Sequence, residues 1–369
     1  MSSIGSAGPI KPNYPARWAR ARARAADENL DALYVNAGPT FTWLAGYSPY
    51  PGGWPDFLSS VIFPVSGEPV MLISAMHAEI VDHDSCAIDR IFTYVDGDDP
   101  RPVLQSAFEA AGVTSGRVGI ENHTWLSDAE LVGGVVPKIK LQISPLFDGL
   151  RAVKDDFEIA LLRRSARCQD AAFAAAQRTM RENASLNDIE VAIRAAMMAE
   201  GCESIKLLGV FKSSRPRSLR PGELVDIDFG TAVCGGYTVD SSRNVVVGEP
   251  GVELQKRWDL VERAFVETMA AVRPGVTAGE VHAICERVIV EGGYTQTWKV
   301  GHGVGLSDGH EAPWLQRRSP TVLEPGMTFT IDPGFFVARD LPLHIEDTIL
   351  VTPTGWEDLN RHPHDLIVV

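Results

Sequence analysis

Two stretches carry the chemistry of this chain. LRPGELVDIDFG at 219–230 and LEPGMTFTIDPG at 323–334 stand 104 positions apart. They share Leu219/Leu323, Pro221/Pro325, Gly222/Gly326, Ile227/Ile331, Asp228/Asp332 and Gly230/Gly334. Each sets an aspartate at the end of an apolar strand. A second carboxylate follows each, Asp240 twelve residues after Asp228 and Glu346 fourteen after Asp332. Related halves imply a pseudo-twofold axis across which four carboxylates can converge. Burying them together is costly unless something positive compensates, and a divalent metal cluster is the natural compensation.

The strand LVDIDFG alternates, with Val225, Ile227 and Phe229 on one face and Leu224, Asp226 and Asp228 on the other. GGY then turns the chain and TVDSSR returns it, so Asp228 and Asp240 can meet across one hairpin. A solvated hairpin with turn aspartates is the plain alternative; the apolar flanks and the repeat at Asp332 argue against it. His302 sits among glycines in KVGHGVGLSDGHEAPW, between the two carboxylate hairpins. Those glycines let backbone or substrate approach closely, and the position favours a ligand over a structural histidine. One imidazole with four carboxylates is a hard, oxygen-rich set. It suits Mn²⁺ or Fe²⁺, with Co²⁺ or Zn²⁺ next, better than a thiolate-loving metal. Two bridged ions would generate hydroxide from water and polarise a carbonyl.

The elements that must position these groups follow from pattern. Residues 1–150 read as a small α/β domain. A helix over roughly 15–29 leads into a strand at LDALYVNAG. FTWLAGY, FLSSVIFPV and PVMLISAM read as further strands of a mixed sheet, 101–112 and 126–139 as helices, and VGIENH as a strand. SPLFDGLRAVK, 145–155, marks the boundary to a second domain at 151–369. There a long helix begins at DDFEIALL and another near Asn187, after the start signal SLND, ahead of the strand pair around Asp228 and Asp240. Helices over 251–273 and 278–291, then strands after 297, repeat that order.

The 369 residues are 45% hydrophobic and 22% charged, enough for a full core in each of about two domains. A net charge of −14 argues against nucleic acid as a partner. Arg17, Arg20, Arg22 and Arg24 read as the polar face of the first helix, with apolar spacing too weak for a membrane stripe. Five cysteines without CxxC spacing point away from disulfides and zinc fingers and toward a reducing cytoplasm. The first residues show no signal-peptide core, and no run approaches a membrane span.

DIDFG…YTVDSSR, GHGVG…HEAP, LEPGMTFTIDPG and HIEDTILVT, in that order, resemble the pita-bread metallopeptidases, which include methionine aminopeptidase, prolidase, aminopeptidase P and the metal-free creatinase. LDALYVNAGPTFTWLAGY resembles the N-terminal domain of the creatinase and prolidase branch. The resemblance implies an α/β (α+β) fold, a creatinase-type domain followed by a pseudo-twofold pita-bread catalytic domain, acting as a homodimer. It implies that Asp228, Asp240, His302, Asp332 and Glu346 hold two divalent ions. Asp228 and Asp240 would serve one and His302 and Asp332 the other, with Asp240 and Glu346 bridging. It implies that His310 contacts substrate and stabilises the tetrahedral intermediate, and that Arg243 orients Asp240.

Four departures from the family pattern bear on function. A histidine usual about 17 residues before the first metal aspartate is missing; the region, near Phe211, reads GVFKSSRPRS. Asp332 stands where a glutamate is usual, one methylene shorter. The spacings Asp228 to Asp240 and His302 to His310 are each long by one, which adds Asp308. His344 replaces the arginine usual before IED; substrate binder, acid/base group and strand residue are all open for it. Asp308 and the twelve-residue spacing also resemble the dimethylsulfoniopropionate lyases of the same superfamily, where the matching aspartate removes a proton α to the carboxylate. YSPYPGGWPDF, containing Trp54, is a loop that can close over an active site; Trp314 can line the substrate pocket or pack in the core. His362 and His364 read as surface residues. The first reading is a metal-dependent hydrolase of the Xaa-Pro peptidase type acting on a short peptide. The others are a non-peptidase enzyme on the same scaffold, either a lyase with Asp308 as base or a small-molecule amidohydrolase, and a catalytically dead binding protein.

Overall fold

A computed structural model describes residues 11–47, 57–82, 85–205, 209–210, 217–229, 232–307, 309–339 and 341–369. The chain divides into two compact units, one running through Arg151 and the other from Ala152 to Val369.

In the first unit a six-stranded mixed sheet runs in the order Ile91–Tyr94, Val70–Ser74, Ser60–Pro64, Ala32–Asn36, Gly116–Ile120, Ile139–Ile143. Tyr34, Ile62, Leu72 and Val118 on its strands pack with Leu104 and Phe108 of the helix Arg101–Ala110. FTWLAGY is not a strand. Pro39–Ala45 forms a helix, opened by Pro39 in its first turn and closed by Gly46 in the left-handed conformation at φ 71°. Thr40, Phe41, Trp43, Leu44 and Ala45 are buried and only Thr42 of the run 40–45 is not, so the apolar pattern fits a strand or a helix alike, and local start and stop signals decide. The helix over 126–139 ends at Val135, and Ile139–Ile143 is a strand. The arginines of Tyr14–Asp27 also differ from a solvated face. Arg17 is buried, Arg20 lies over the Trp43 ring at 4.9 Å, and Arg22 lies over Phe63 at 5.4 Å.

The second unit repeats helix pair and sheet. Asp156–Thr179 starts on a capping box between Asp155 and Glu158 and packs on Leu186–Ala199. Ala278–Glu291 starts on the same device, Thr277 with Glu280, and packs on Val252–Ala271. Each pair covers one sheet. The first sheet has the order Ile367–Val368, Ser241–Val246, Leu224–Phe229, Gly209–Val210; the second Glu311–Leu315, Gly301–Gly303, Thr328–Ile331, Asp347–Thr352, Gly355–Asp358. Two separate apolar cores result, one around Phe173, Ile227 and Val245, the other around Phe265, Phe329 and Ile349. The halves meet where Ser242 and Glu346 exchange both backbone hydrogen bonds. These two residues stand at the 104-residue offset from each other, so the pseudo-twofold axis passes between them. Among the described residues no helix is long and apolar enough to cross a membrane.

Candidate metal centre

Asp228 ends its strand opposite Ser242, and Asp332 follows Thr328–Ile331 directly. Asp240 directly precedes the strand Ser241–Val246, and Glu346, bridged to Ser242, directly precedes Asp347–Thr352. All four line one cavity of about 400 Å³ together with His302, His310 and His344. Asp228, Asp240 and Glu346 bring one oxygen each within 4.8 Å of one another. His302 lies on Gly301–Gly303, whose glycines are required by sheet packing. A Cβ on Gly301 would sit 1.8 Å from the carbonyl oxygen of Thr330, and one on Gly303 2.0 Å from that of Ala312.

The charges are arranged for a cation. Burial, then Glu346 and Asp228 beside it, pushes the Asp240 carboxyl well above the usual carboxylate range. Burial, then Asp332 and Asp228, does the same to Glu346. Asp240 Oδ1 and Glu346 Oε1 are buried without a hydrogen bond. His302 Nδ1 lies 3.2 Å from its own strand's carbonyl at Gly303, which makes Nδ1 the protonated nitrogen. Nε2 faces Glu346 Oε1 at 3.3 Å and Asp240 Oδ2 at 3.6 Å. Buried carboxylates without hydrogen-bond donors repel one another unless a cation lies among them. Oxygen and imidazole donors of this kind fit a divalent first-row ion.

His310 stacks on His302 with ring centroids 3.6 Å apart. Burial, then His302 and Lys299, lowers its pKa to about 4, so it is neutral at neutral pH and presents one N–H. His344 is buried and bridges two carboxylates. Nδ1 lies 2.8 Å from Asp332 Oδ1 and Nε2 2.9 Å from Asp226 Oδ1. Burial works against its charge, but Asp226 and Asp332 overcome it and hold the imidazole well above its ordinary value. The sequence reading had not singled out Asp226; its signal was the strand alternation that set it on the face of Asp228.

Three expectations need correction. Arg243 does not reach Asp240. Its guanidinium pairs with Asp347 and donates to the carbonyls of Ser242, Glu346, His362 and Pro363, so it braces the segment carrying Glu346. Trp314 is not in the cavity wall; it pairs across the strands with His302 and carries Lys299 over its ring at 4.6 Å. Thr297, Trp298, Lys299, Phe336 and Pro342 form that wall instead. His362 and His364 are not idle surface residues, since His362 packs on Phe173 and His364 lies 2.5 Å from Asp347 Oδ2. Phe211, Trp54 and Asp308 lie outside the described residues.

Comparison with known proteins identifies the family. Residues 160–353 match the model of metallopeptidase family M24, and residues 17–153 match the creatinase/prolidase N-terminal domain. The chain is 30% identical to "Probable dipeptidase PepE" of Mycobacterium tuberculosis, over 96% of each chain. It is 26% identical to "Xaa-Pro dipeptidase" of Pyrococcus horikoshii, over 92% of this chain and 96% of that one. The crystal structure of dipeptidase PepE from Mycobacterium ulcerans superposes with a TM-score of 0.85 at 25% identity, covering 96% of this chain and 98% of that one. The chain belongs to metallopeptidase family M24, on the prolidase fold, and is a metallohydrolase.

Proposed function

As a reading of this M24 chain we propose a dipeptidase of the Xaa-Pro type. Asp228 and Asp240 would hold one divalent ion and His302 and Asp332 the other, with Asp240 and Glu346 serving both. The observation that carries the metal reading is the convergence of His302 Nε2 on two buried carboxylates, each with an oxygen that has no hydrogen bond. The oxygen-rich donors favour Mn²⁺ or Fe²⁺. When bound, the ions supply Lewis acidity toward the amide carbonyl and lower the pKa of water.

The chain's own residues do the rest. Trp298, Phe336 and Pro342 give the cavity an apolar wall on which a pyrrolidine ring can pack. Lys299 is the one Lys or Arg among the described residues of that wall, and pairs with the free carboxylate of a short peptide. Neutral His310 donates its N–H to the carbonyl oxygen as negative charge grows there. The names of the relatives, dipeptidase and Xaa-Pro dipeptidase, support the same substrate class. A homodimer rests on the family resemblance, and a cytoplasmic location on the cysteine pattern.

The test is product analysis in ¹⁸O water with Mn²⁺-loaded protein, a panel of Xaa-Pro dipeptides and a set of β-substituted carboxylates. Cleavage of dipeptides with one ¹⁸O in the new carboxylate supports the reading. Intact dipeptides, with an unlabelled elimination product from the carboxylates, would replace it with a lyase.

A further inference from the structure

We propose that Asp226 is a positioning residue for the Asp332 side of the metal centre: through the ring of His344 it fixes which oxygen of Asp332 is left to bind an ion. The inference rests on the metal reading above.

Asp226 precedes Asp228 by two residues on Leu224–Phe229, so both carboxylates leave the strand on one face. Asp228 lines the cavity, whereas Asp226 is 6% exposed and does not. A carboxylate in that position destabilises the fold unless it is partnered. Its partner is His344 Nε2 at 2.9 Å, and its second oxygen, Oδ2, has no hydrogen bond. The other end of the same ring meets Asp332 Oδ1 at 2.8 Å. The ring is thereby a strut with a carboxylate at each end.

The strut is itself anchored. The backbone N–H of His344 donates to Asn244 Oδ1 at 2.8 Å, and Asn244 Nδ2 donates to the carbonyl of Pro342 at 3.0 Å. Trp298 meets the imidazole edge-on at 6.1 Å. The backbone of Asp332 is pinned as well. Its N–H donates to Val300, and its carbonyl accepts from Gln296 and from the indole of Trp298. What remains free is the terminal torsion of the Asp332 carboxylate, which is intrinsically soft. His344 removes that freedom by holding Oδ1 and leaves Oδ2 as the single available donor. Ser242 Oγ also lies 3.2 Å from Nδ1, so without Asp226 the ring is held only at its Nδ1 end and can swing about it. Partners one step behind a ligand typically change metal affinity by about 10–100-fold.

The experiment is calorimetric titration of metal-free protein with Mn²⁺ for wild type, Asp226→Ala, Asp226→Asn and His302→Ala, with melting curves in chelator to confirm folding. Asp226→Ala is expected to weaken one Mn²⁺ step about 10–100-fold and leave the other within about threefold. Asp226→Asn keeps an acceptor for Nε2–H and is expected to recover most of that loss. In a His302→Ala background, which lacks the Asp332-side ion, Asp226→Ala should change nothing further. A wild-type protein that takes up no Mn²⁺ overturns the metal reading itself. If wild type binds Mn²⁺ but Asp226→Ala leaves every step unchanged, weakens both equally, or acts equally in the His302→Ala background, the positioning role alone is wrong. A single wild-type step indifferent to Asp226→Ala overturns it too.

Discussion

Arg243 and Asp347 form a fully buried pair, each guanidinium terminus 2.9 Å from one carboxylate oxygen, directly behind Glu346. The guanidinium uses its remaining donors on four backbone carbonyls, one of them that of Glu346. Removing one partner of a buried ion pair typically costs about 3–5 kcal/mol, because the other charge is stranded. Arg243→Ala is expected to lower the unfolding free energy by about that amount in urea melts. Arg243→Lys should recover little, since one ammonium cannot span Asp347 and four carbonyls. A lysine variant as stable as wild type would contradict this account of the brace.

Asp240 separates stability from function. Its carboxyl is pushed up first by burial and then by Glu346 and Asp228, so in metal-free protein at neutral pH folding must either bury its charge or bind a proton, and both oppose folding. Asp240→Asn is expected to abolish hydrolysis and lower metal content, yet to melt at or above the wild-type temperature in chelator. Added Mn²⁺ should raise the melting point of wild type more than that of the variant, by mass action on the folded state. Equal Mn²⁺ shifts in both proteins would remove Asp240 from the centre.

A pH window follows from His364. Burial lowers its pKa, but hydrogen bonds to Asp347 and Asp358 prevail and raise it to about 9. A histidine raised above its unfolded value contributes stability fully below pH about 6.5 and loses it as the pH climbs through about 9. Asp358, raised to about 6 chiefly by burial, acts in a lower window, its contribution fading as the pH rises from about 4 to 6. Between these two partners the interval from 6.5 to 9 therefore belongs to His364, and the comparison with a His364 variant isolates it from the raised groups of the metal centre. Its side chain is 31% exposed, so the contribution is of the order of 1–2 kcal/mol after screening. The stability gap between wild type and His364→Gln, measured in urea, is expected to be widest at pH 6 and to shrink by pH 9.5. A gap constant across that range would reject the charged histidine.

Much of the centre was legible because the duplication repeats chemistry and spacing together: an aspartate ending an apolar strand, twice, with a carboxylate on each return strand. The helix pairs were legible from periodicity and from capping residues such as Asp155 and Thr277. What escaped depends on contacts between residues remote in sequence. His344 meets Asp226 across 118 positions, and no local pattern marks that pair. Arg243 follows Asp240 by three residues, but antiparallel pairing turns its side chain to Asp347, 104 positions away. FTWLA failed for the opposite reason. It is inward-facing almost throughout, so its apolar pattern fits either element, and Pro39 and Gly46 carried the decision.

Lys299 supplies the last prediction. It lines the wall beside His310 and rests on Trp314, and its ammonium has no carboxylate partner among the described residues. The four carboxylates of the centre repel an anionic substrate end. A compensating cation at the wall therefore selects peptides whose carboxylate lies on that side. Lys299→Gln is expected to raise KM for Xaa-Pro dipeptides about tenfold with kcat little changed, the size of one partly solvated charge-assisted contact. The same dipeptides as C-terminal amides should show equal KM in both proteins. Lys299→Glu should exceed the tenfold loss for the acids and favour the amides. If the acid and amide series respond alike to Lys299→Gln, the lysine packs the wall and reads no charge.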